Sequence, residues 1–366
     1  VLDGSKDGFS QAAYGGYKKD APDAMRLGGI AKRLVAAVKK YDKSRPTTAG
    51  LAGVAMSNET EYPGALDITG YNYTESKYQS DHEKYPKRVI YGSENRHDTE
   101  AWLAVKNNKH IFGQFLWTGI DYLGESGKWP SRGFYSGLVD FAGIIKPRGY
   151  FRQSLWSDTP MIYAGTYLQR KEREPSMDAW PVWNYEQGQT IRVVCYTNAA
   201  KARLELNGKV VGEEKKYDEK TGIISWDIPY ETGKLEAIGL SNDGKEVSRY
   251  AITSSKQPGI LVATAKTVTI DKQKGVAQVM LQVTDENGVP VMLSDNEVTC
   301  TIAGPGKLLG LEAGNNTDMS DYTDNVQRVF HGHLLAYIQA TGEGGPIKVK
   351  FTSPWLKAAE VTITAQ

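Results

Sequence analysis

The first 170 residues alternate short apolar runs with stretches whose apolar positions recur at helical spacing. Between residues 22 and 43, Met25, Ile30, Leu34, Val38 and Tyr41 fall close to one helical face, and the pattern stops at the breaker Ser44-Arg45-Pro46. Strands are expected at residues 47–50, 66–73, 89–93 and 111–117, and further helices near 77–85, 99–106 and 149–155. Strands that alternate with helices imply parallel pairing, because parallel neighbours need a crossover connection. About four such units are present, half of an eight-unit (β/α) barrel.

After Asp158-Thr159-Pro160 the period changes. From Trp180 the chain reads as short alternating strands at 190–196, 202–206, 223–228 and 234–240, with turns at Asn207-Gly208 and Asp243-Gly244. Asn-Gly and Asp-Gly between β-rich runs are strong hairpin signals. The linker Lys256-Gln257-Pro258-Gly259 leads to a second set at 261–270, 276–285, 298–303, 347–352 and 361–364, with a turn at Asn287-Gly288 and a long polar insertion over 315–325. The expected fold class is therefore multidomain, α/β plus all-β. It comprises a partial (β/α)8 barrel over 1–170 and two immunoglobulin-like β-sandwiches over 180–255 and 260–366.

Composition narrows the function. The 366 residues carry 44 basic and 43 acidic side chains, a net charge of +1, which argues against a polyanion-binding footprint. There is no apolar run of membrane-spanning length. Eight Trp and 21 Tyr suit contact with sugars as well as core packing. Cys195 and Cys300, the only cysteines, fall in different expected domains, so no disulfide is expected. Asp285, Glu286, Asn287, Asp295 and Glu297 lack the regular ligand spacing of a Ca²⁺ loop, and no metal or other cofactor is expected.

The candidate chemistry centres on Gly92-Ser93-Glu94-Asn95, directly after Val89-Ile90-Tyr91. This order sets a carboxylate at the C-terminal end of a buried strand, where a (β/α) barrel keeps its reacting groups. Retaining glycoside hydrolysis needs one carboxylate to attack the anomeric carbon and a second to protonate the leaving oxygen. Glu94 is the natural nucleophile.

Three segments in order, Asp67 to Tyr73, Ile90 to Glu94, and Gly113 to Trp117 followed by Asp121, resemble strands six, seven and eight of the catalytic barrel of glycoside hydrolase family 2, the β-galactosidase group. Gly137-Leu138-Val139-Asp140, Lys146-Pro147-Arg148 and Phe151 to Trp156 are similar to that family's barrel exit. The resemblance implies Glu94 as nucleophile, Tyr73 as its hydrogen-bonding tyrosine, Trp117 as the sugar platform and His97 as a sugar contact that favours a neutral hexose. Asn72 and Asp121 are further substrate-binding candidates. Tyr71 competes with Tyr73, since alternate strand residues face opposite sides.

The family's acid/base glutamate sits in an Asn-Glu pair after strand four. Asn58-Glu59 reads instead as part of a polar loop after strand five, so the acid/base is expected upstream of Val1 and the chain is read as the C-terminal portion of a longer protein. Its expected partners are an oligo- or polysaccharide substrate and the N-terminal half of the same enzyme, in a periplasmic or secreted setting, with no nucleic acid and no membrane span. Trp129-Pro130 and Arg132 lie in a loop after strand eight that could line a substrate cleft. The alternatives are a non-catalytic carbohydrate-binding or adhesin-like fragment, or a β-glucuronidase or β-mannosidase of the same family. An adhesin has no need for Tyr73, Glu94 and Trp117 at three successive strand ends, and the carboxylate-reading Asn-x-Lys motif of glucuronidases is not evident.

Overall fold

The computed structural model describes residues 23–124, 126–170 and 174–366. The chain divides into two compact units, one running to Thr118 and including Glu219–Thr221, the other taking Gly119–Asp218 and Gly222–Gln366.

In the first unit, helix α1 (Arg26–Tyr41) precedes strand β1 (Thr48–Leu51), helix α2 (Val54–Asn58), strand β2 (Ile68–Asn72), helix α3 (Tyr78–Lys84), strand β3 (Ile90–Asn95), helix α4 (Thr99–Lys106) and strand β4 (Ile111–Leu116). The four strands form one sheet in sequence order, every pair parallel. Leu51, Val54, Tyr71, Tyr78, Ile90 and Ile111 make its helix-side core, each at most 5% exposed. Full burial of each such side chain is worth about 1.5–3 kcal/mol. Asp81 of α3, buried in this layer, accepts from the Tyr71 hydroxyl at 2.6 Å and from Asn58 Nδ2 at 2.8 Å. Arg88 Nη1 closes the network on Asn58 Oδ1 (2.6 Å) and the Tyr71 hydroxyl (2.9 Å). A buried polar cluster tolerates no missing partner, so it fixes α3 on the sheet. Asp98 caps α4, its carboxylate accepting from the Ala101 amide at 2.8 Å.

The expected helix over 22–43 forms as α1, with Pro22 outside the described residues. Its apolar stripe does not face the sheet. Leu34 and Tyr41 are 62% and 85% exposed, while the small residues Gly28 and Ala31 are the buried ones. Asn58, read with Glu59 as part of a polar loop, ends the short helix α2 instead, with Glu59 at its C-cap.

The second unit opens with a ribbon of β5 (Tyr122–Leu123) and β6 (Gly133–Phe134), followed by helix α5 (Pro147–Trp156) with proline in its first turn. Strands β7 (Ile162–Leu168), β8 (Thr190–Thr197), β9 (Lys201–Leu206), β10 (Lys209–Lys216), β11 (Ile223–Pro229), β12 (Lys234–Leu240) and β13 (Glu246–Thr253) follow. They form two sheets, β10-β9-β12-β13 and β11-β8-β7, over a shared core that includes Trp183, Val193, Cys195, Leu204, Trp226 and Leu235. The hairpin β9–β10 turns on Asn207 (φ 53°) and Gly208 (φ 77°), the positive pair that a tight two-residue turn demands. The expected boundary at residue 170 needs correction, because β7 pairs antiparallel with β8 and belongs to this sandwich.

The last sandwich stacks β14 (Ile260–Ala265), β16 (Val276–Thr284), β20 (His333–Ala340) and β18 (Gly306–Glu312) on a second sheet. That sheet holds β15 (Thr269–Ile270), β22 (Ala359–Ala365), β21 (Gly345–Thr352), β17 (Glu297–Ala303) and β19 (Val326–Arg328). The core runs through both sheets, from Val279, Leu281 and Ala336 to Val298, Val349 and Ile363. Strands β18 and β20 had no sequence signal. Asp285, the first of the acidic residues weighed for a cation, accepts from the amides of Lys256, Asn287 and Val289 and so organises the turn around Gly288. Both cysteines are free and buried, and burial pushes the Cys300 thiol up to about 12.

Candidate active site

Strand β3 carries the candidate nucleophile through an irregularity. Against β2, Tyr71 pairs with Gly92 and Asn72 with Glu94, so Ser93 is an extra residue. Against β4, Gly92 pairs with Gln114 and Asn95 with Leu116, an irregularity in the same place. A bulge at a strand end re-aims the side chain that follows it. Glycines make the bulge possible. A Cβ at Gly92 would lie 1.7 Å from Asn95 Oδ1, and one at Gly70 would lie 2.5 Å from Ser93 Oγ. Asn95 is fully buried and its Nδ2 donates to the Tyr78 hydroxyl at 3.2 Å, which pins the residue after Glu94 to the helix layer.

Glu94 is half-buried at this strand end. The Tyr73 hydroxyl hydrogen-bonds its carboxylate, and the Tyr73 amide donates to the Glu94 carbonyl at 2.7 Å. Burial, then the Glu94 charge and this hydrogen bond, raise the Tyr73 phenol well above its ordinary value, so the hydroxyl stays protonated and donates. Tyr71 points the other way, into the Asp81 and Arg88 network. Tyr73, not Tyr71, reaches Glu94.

His97 is 9% exposed, and its Nε2 lies 2.8 Å from the Trp117 carbonyl oxygen. That nitrogen therefore carries the proton and donates to the end of β4. The Trp117 amide in turn donates to the Asn95 carbonyl at 3.2 Å. His97 thus anchors the segment that bears the half-buried Trp117 ring. Asn72 lies across from Glu94 in register, but its Oδ1 accepts from Ser93 Oγ at 2.7 Å and sits over Gly50.

Asp121 needs correction. It belongs to the second unit, is 3% exposed, and its Oδ1 accepts from Lys146 Nζ at 2.6 Å and from the Gly137 amide at 2.8 Å. Burial pushes its carboxyl up and the Lys146 ammonium down, and the short contact opposes both shifts. A carboxylate enclosed with its own lysine is a structural ion pair rather than a sugar contact. Arg132 is likewise no rim residue. It grips Glu312 through Nη1 (2.8 Å) and Nη2 and donates to the carbonyls of Asn315 and Asn316. Trp129 is 79% exposed.

Two neighbours of the site escaped sequence reading. Glu75 and Arg96 form an ion pair at 2.8 Å beside Tyr73. Neither belongs to a motif, and 21 residues separate them. Among the described residues no cluster of His, Cys, Asp and Glu is arranged to hold a metal ion.

Known proteins resemble this chain along most of its length. Residues 260–362 match the family described as glycoside hydrolase family 2 C-terminal domain 5, and residues 188–248 match a domain of unknown function, DUF4982. The beta-galactosidase BoGH2A of Bacteroides ovatus is 30% identical over 387 residues, covering 92% of this chain and 44% of that protein. A beta-glucuronidase of Formosa agariphila is 24% identical over 62% of this chain and 22% of its own length. The chain thus spans less than half the length of these curated relatives. A solved glycosyl hydrolase family 2 member from Bacteroides cellulosilyticus superposes with a TM-score of 0.85 at 24% identity, over 93% of this chain and 47% of that one, a likeness of fold. On the family match over residues 260–362 and the 30% identity over 92% of its length, the chain belongs to glycoside hydrolase family 2.

Proposed function

We propose that this chain is part of a retaining β-glycosidase that releases terminal β-galactosyl residues, with Glu94 as nucleophile. One observation carries the reading. A glutamate at the bulged end of a parallel strand accepts a hydrogen bond from a half-buried tyrosine that stays protonated. Such a carboxylate attacks the anomeric carbon, the glycosidic bond breaks, and a glycosyl ester forms that water later cleaves. The tyrosine hydroxyl orients the attacking oxygen, and Trp117 offers a flat apolar face to the sugar ring. In this reading the four parallel strands complete an eight-stranded barrel with residues from outside the chain. Those residues also supply the acid/base carboxylate, and the two sandwiches are immunoglobulin-like accessory domains.

A galactoside is favoured over a glucuronide because Arg96, the cation beside Tyr73, is neutralised by Glu75. Among the described residues, the cation that faces the Tyr73 ring is thus already paired and not disposed to recruit a sugar carboxylate. The relatives carry both names, beta-galactosidase and beta-glucuronidase. The test is kinetic. Glu94→Gln in the full-length protein should lower kcat on nitrophenyl β-galactoside by about a thousandfold or more with the fold intact, since the change is nearly isosteric. A variant that keeps a tenth or more of its activity would remove Glu94 from the role, and a wild type that prefers the nitrophenyl glucuronide would replace the substrate.

A further inference from the structure

Tyr73 occupies the left-handed region of backbone space, with φ 51°. For a bulky residue this is an outlier that surrounding contacts must enforce, and such residues gather at functional sites. The contacts that enforce it are specific. On one side the Tyr73 amide is held by the Glu94 carbonyl at 2.7 Å. On the other the Tyr73 carbonyl accepts from Arg96 Nη1 at 2.9 Å. The same Nη1 donates to Glu75 Oε2 at 2.8 Å, and the Arg96 amide reaches Glu75 Oε1 at 3.4 Å. The guanidinium carbon stands 5.5 Å from the centre of the Tyr73 ring.

We propose that Arg96 and Glu75 are positioning residues that hold Tyr73 in this backbone state and so keep its hydroxyl on the Glu94 carboxylate. The inference rests on the reading of Glu94 as nucleophile. An ordinary surface ion pair contributes little to stability, and this one is not ordinary. The Glu75 side chain is 9% exposed whereas that of Arg96 is 49% exposed, so a carboxylate has been buried to aim a half-exposed arginine. The arginine, in turn, binds the carbonyl of Tyr73, whose backbone lies in the left-handed region. The three side chains come from two strand ends, Tyr73 and Glu75 just after β2 and Arg96 just after β3. Loss of Arg96 removes the donor on the Tyr73 carbonyl, and the left-handed backbone loses that tether. The hydroxyl leaves Glu94 for part of the time, and the nucleophile loses the donor that orients it.

The test is a double-mutant cycle in the full-length protein, read with nitrophenyl β-galactoside. Arg96→Ala should lower kcat about tenfold with KM within about twofold, and Tyr73→Phe should lower it by at least as much. Adding Arg96→Ala to Tyr73→Phe should cost less than about twofold more, because the hydroxyl that Arg96 serves is already gone. Arg96→Lys, which keeps a donor in reach of both partners, should restore most of the loss. A purely structural ion pair would give effects that multiply, and multiplication overturns the proposal, as does an Arg96→Ala variant with unchanged kcat. Should Arg96→Ala fail to fold, Glu75→Gln replaces it in the same cycle, with the same lack of additivity expected and multiplication again fatal. Labelling of some residue other than Glu94 by a mechanism-based inactivator would instead overturn the reading of Glu94 as nucleophile, whatever the cycle returns.

Discussion

At the scale of single residues, the site is built from side chains whose neighbours leave them one arrangement. Tyr73 donates to Glu94 because burial keeps its phenol protonated, and His97 turns its Nε2 to the Trp117 carbonyl. Trp117 then becomes a test of the sugar platform. Trp117→Ala in the full-length enzyme should lower kcat/KM by an amount equivalent to about 1–3 kcal/mol, the loss of an aromatic face beside an oxocarbenium-like ring. Its Tm should fall only modestly. A large drop in Tm with kcat/KM unchanged would make the ring a core residue. A second residue gives a pH dependence. His331 stacks on Trp180 with ring centres 3.8 Å apart, and burial, followed by the nearby His333, depresses its pKa to about 4 from the usual 6.5. The unfolded chain takes up a proton near pH 6.5 that the folded chain refuses until about pH 4. The stability contributed by the neutral ring is therefore full above about 6.5 and lost as pH falls through that window, by about 3 kcal/mol in all. His331→Asn, which tolerates the positive φ of 49° and does not titrate, should flatten the fall in Tm between about pH 7 and pH 4.5. An unchanged slope would place the acid sensitivity elsewhere.

At the scale of elements, the sequence made the parallel sheet legible because each strand is a short apolar run bounded by breakers. The bulge was not legible, since it depends on which residue of β2 and β4 faces which residue of β3. Glycine is its sequence trace. Gly92→Ala would drive a methyl group into Asn95, and we expect a loss of about 1–3 kcal/mol by overpacking, together with reduced activity as Glu94 shifts. Denaturant unfolding and kcat measured on one preparation check this, and full activity at wild-type stability would show that the bulge does not set the nucleophile. Two other elements were hidden for a different reason. β7 is covered on one face by α5, where Tyr150 stacks on Tyr163 at 4.5 Å, and β20 is covered where His333 faces Asp140 at 3.6 Å. Cover on both faces erases the alternation by which a strand is read. Asp121 was read as a substrate contact, and Arg132 left open as one, because the ion pairs that hold them do not show in sequence: Lys146 lies 25 residues from Asp121 and Glu312 lies 180 residues from Arg132. Glu94 stood out by its place after an apolar strand, and Tyr73, His97 and Trp117 became candidates through the family resemblance, while Glu75 and Arg96 needed coordinates.

At the scale of the whole molecule, the first unit leaves apolar surface uncovered. Phe112 and Phe115 are 61% and 63% exposed, and α1 turns Leu34, Val38 and Tyr41 outward. Apolar surface of this extent marks faces that meet other protein. Under the proposed function these would be the faces covered by residues outside this chain, which is why every kinetic test here uses the full-length protein. The account depends most on one covalent bond, the glycosyl ester on Glu94. Full-length protein inactivated with a 2-fluoro β-galactoside, digested and mapped by mass spectrometry, should carry a single label on the peptide containing Glu94, and Glu94→Gln should carry none. A label on any other residue, or hydrolysis that continues with no label formed, would contradict it.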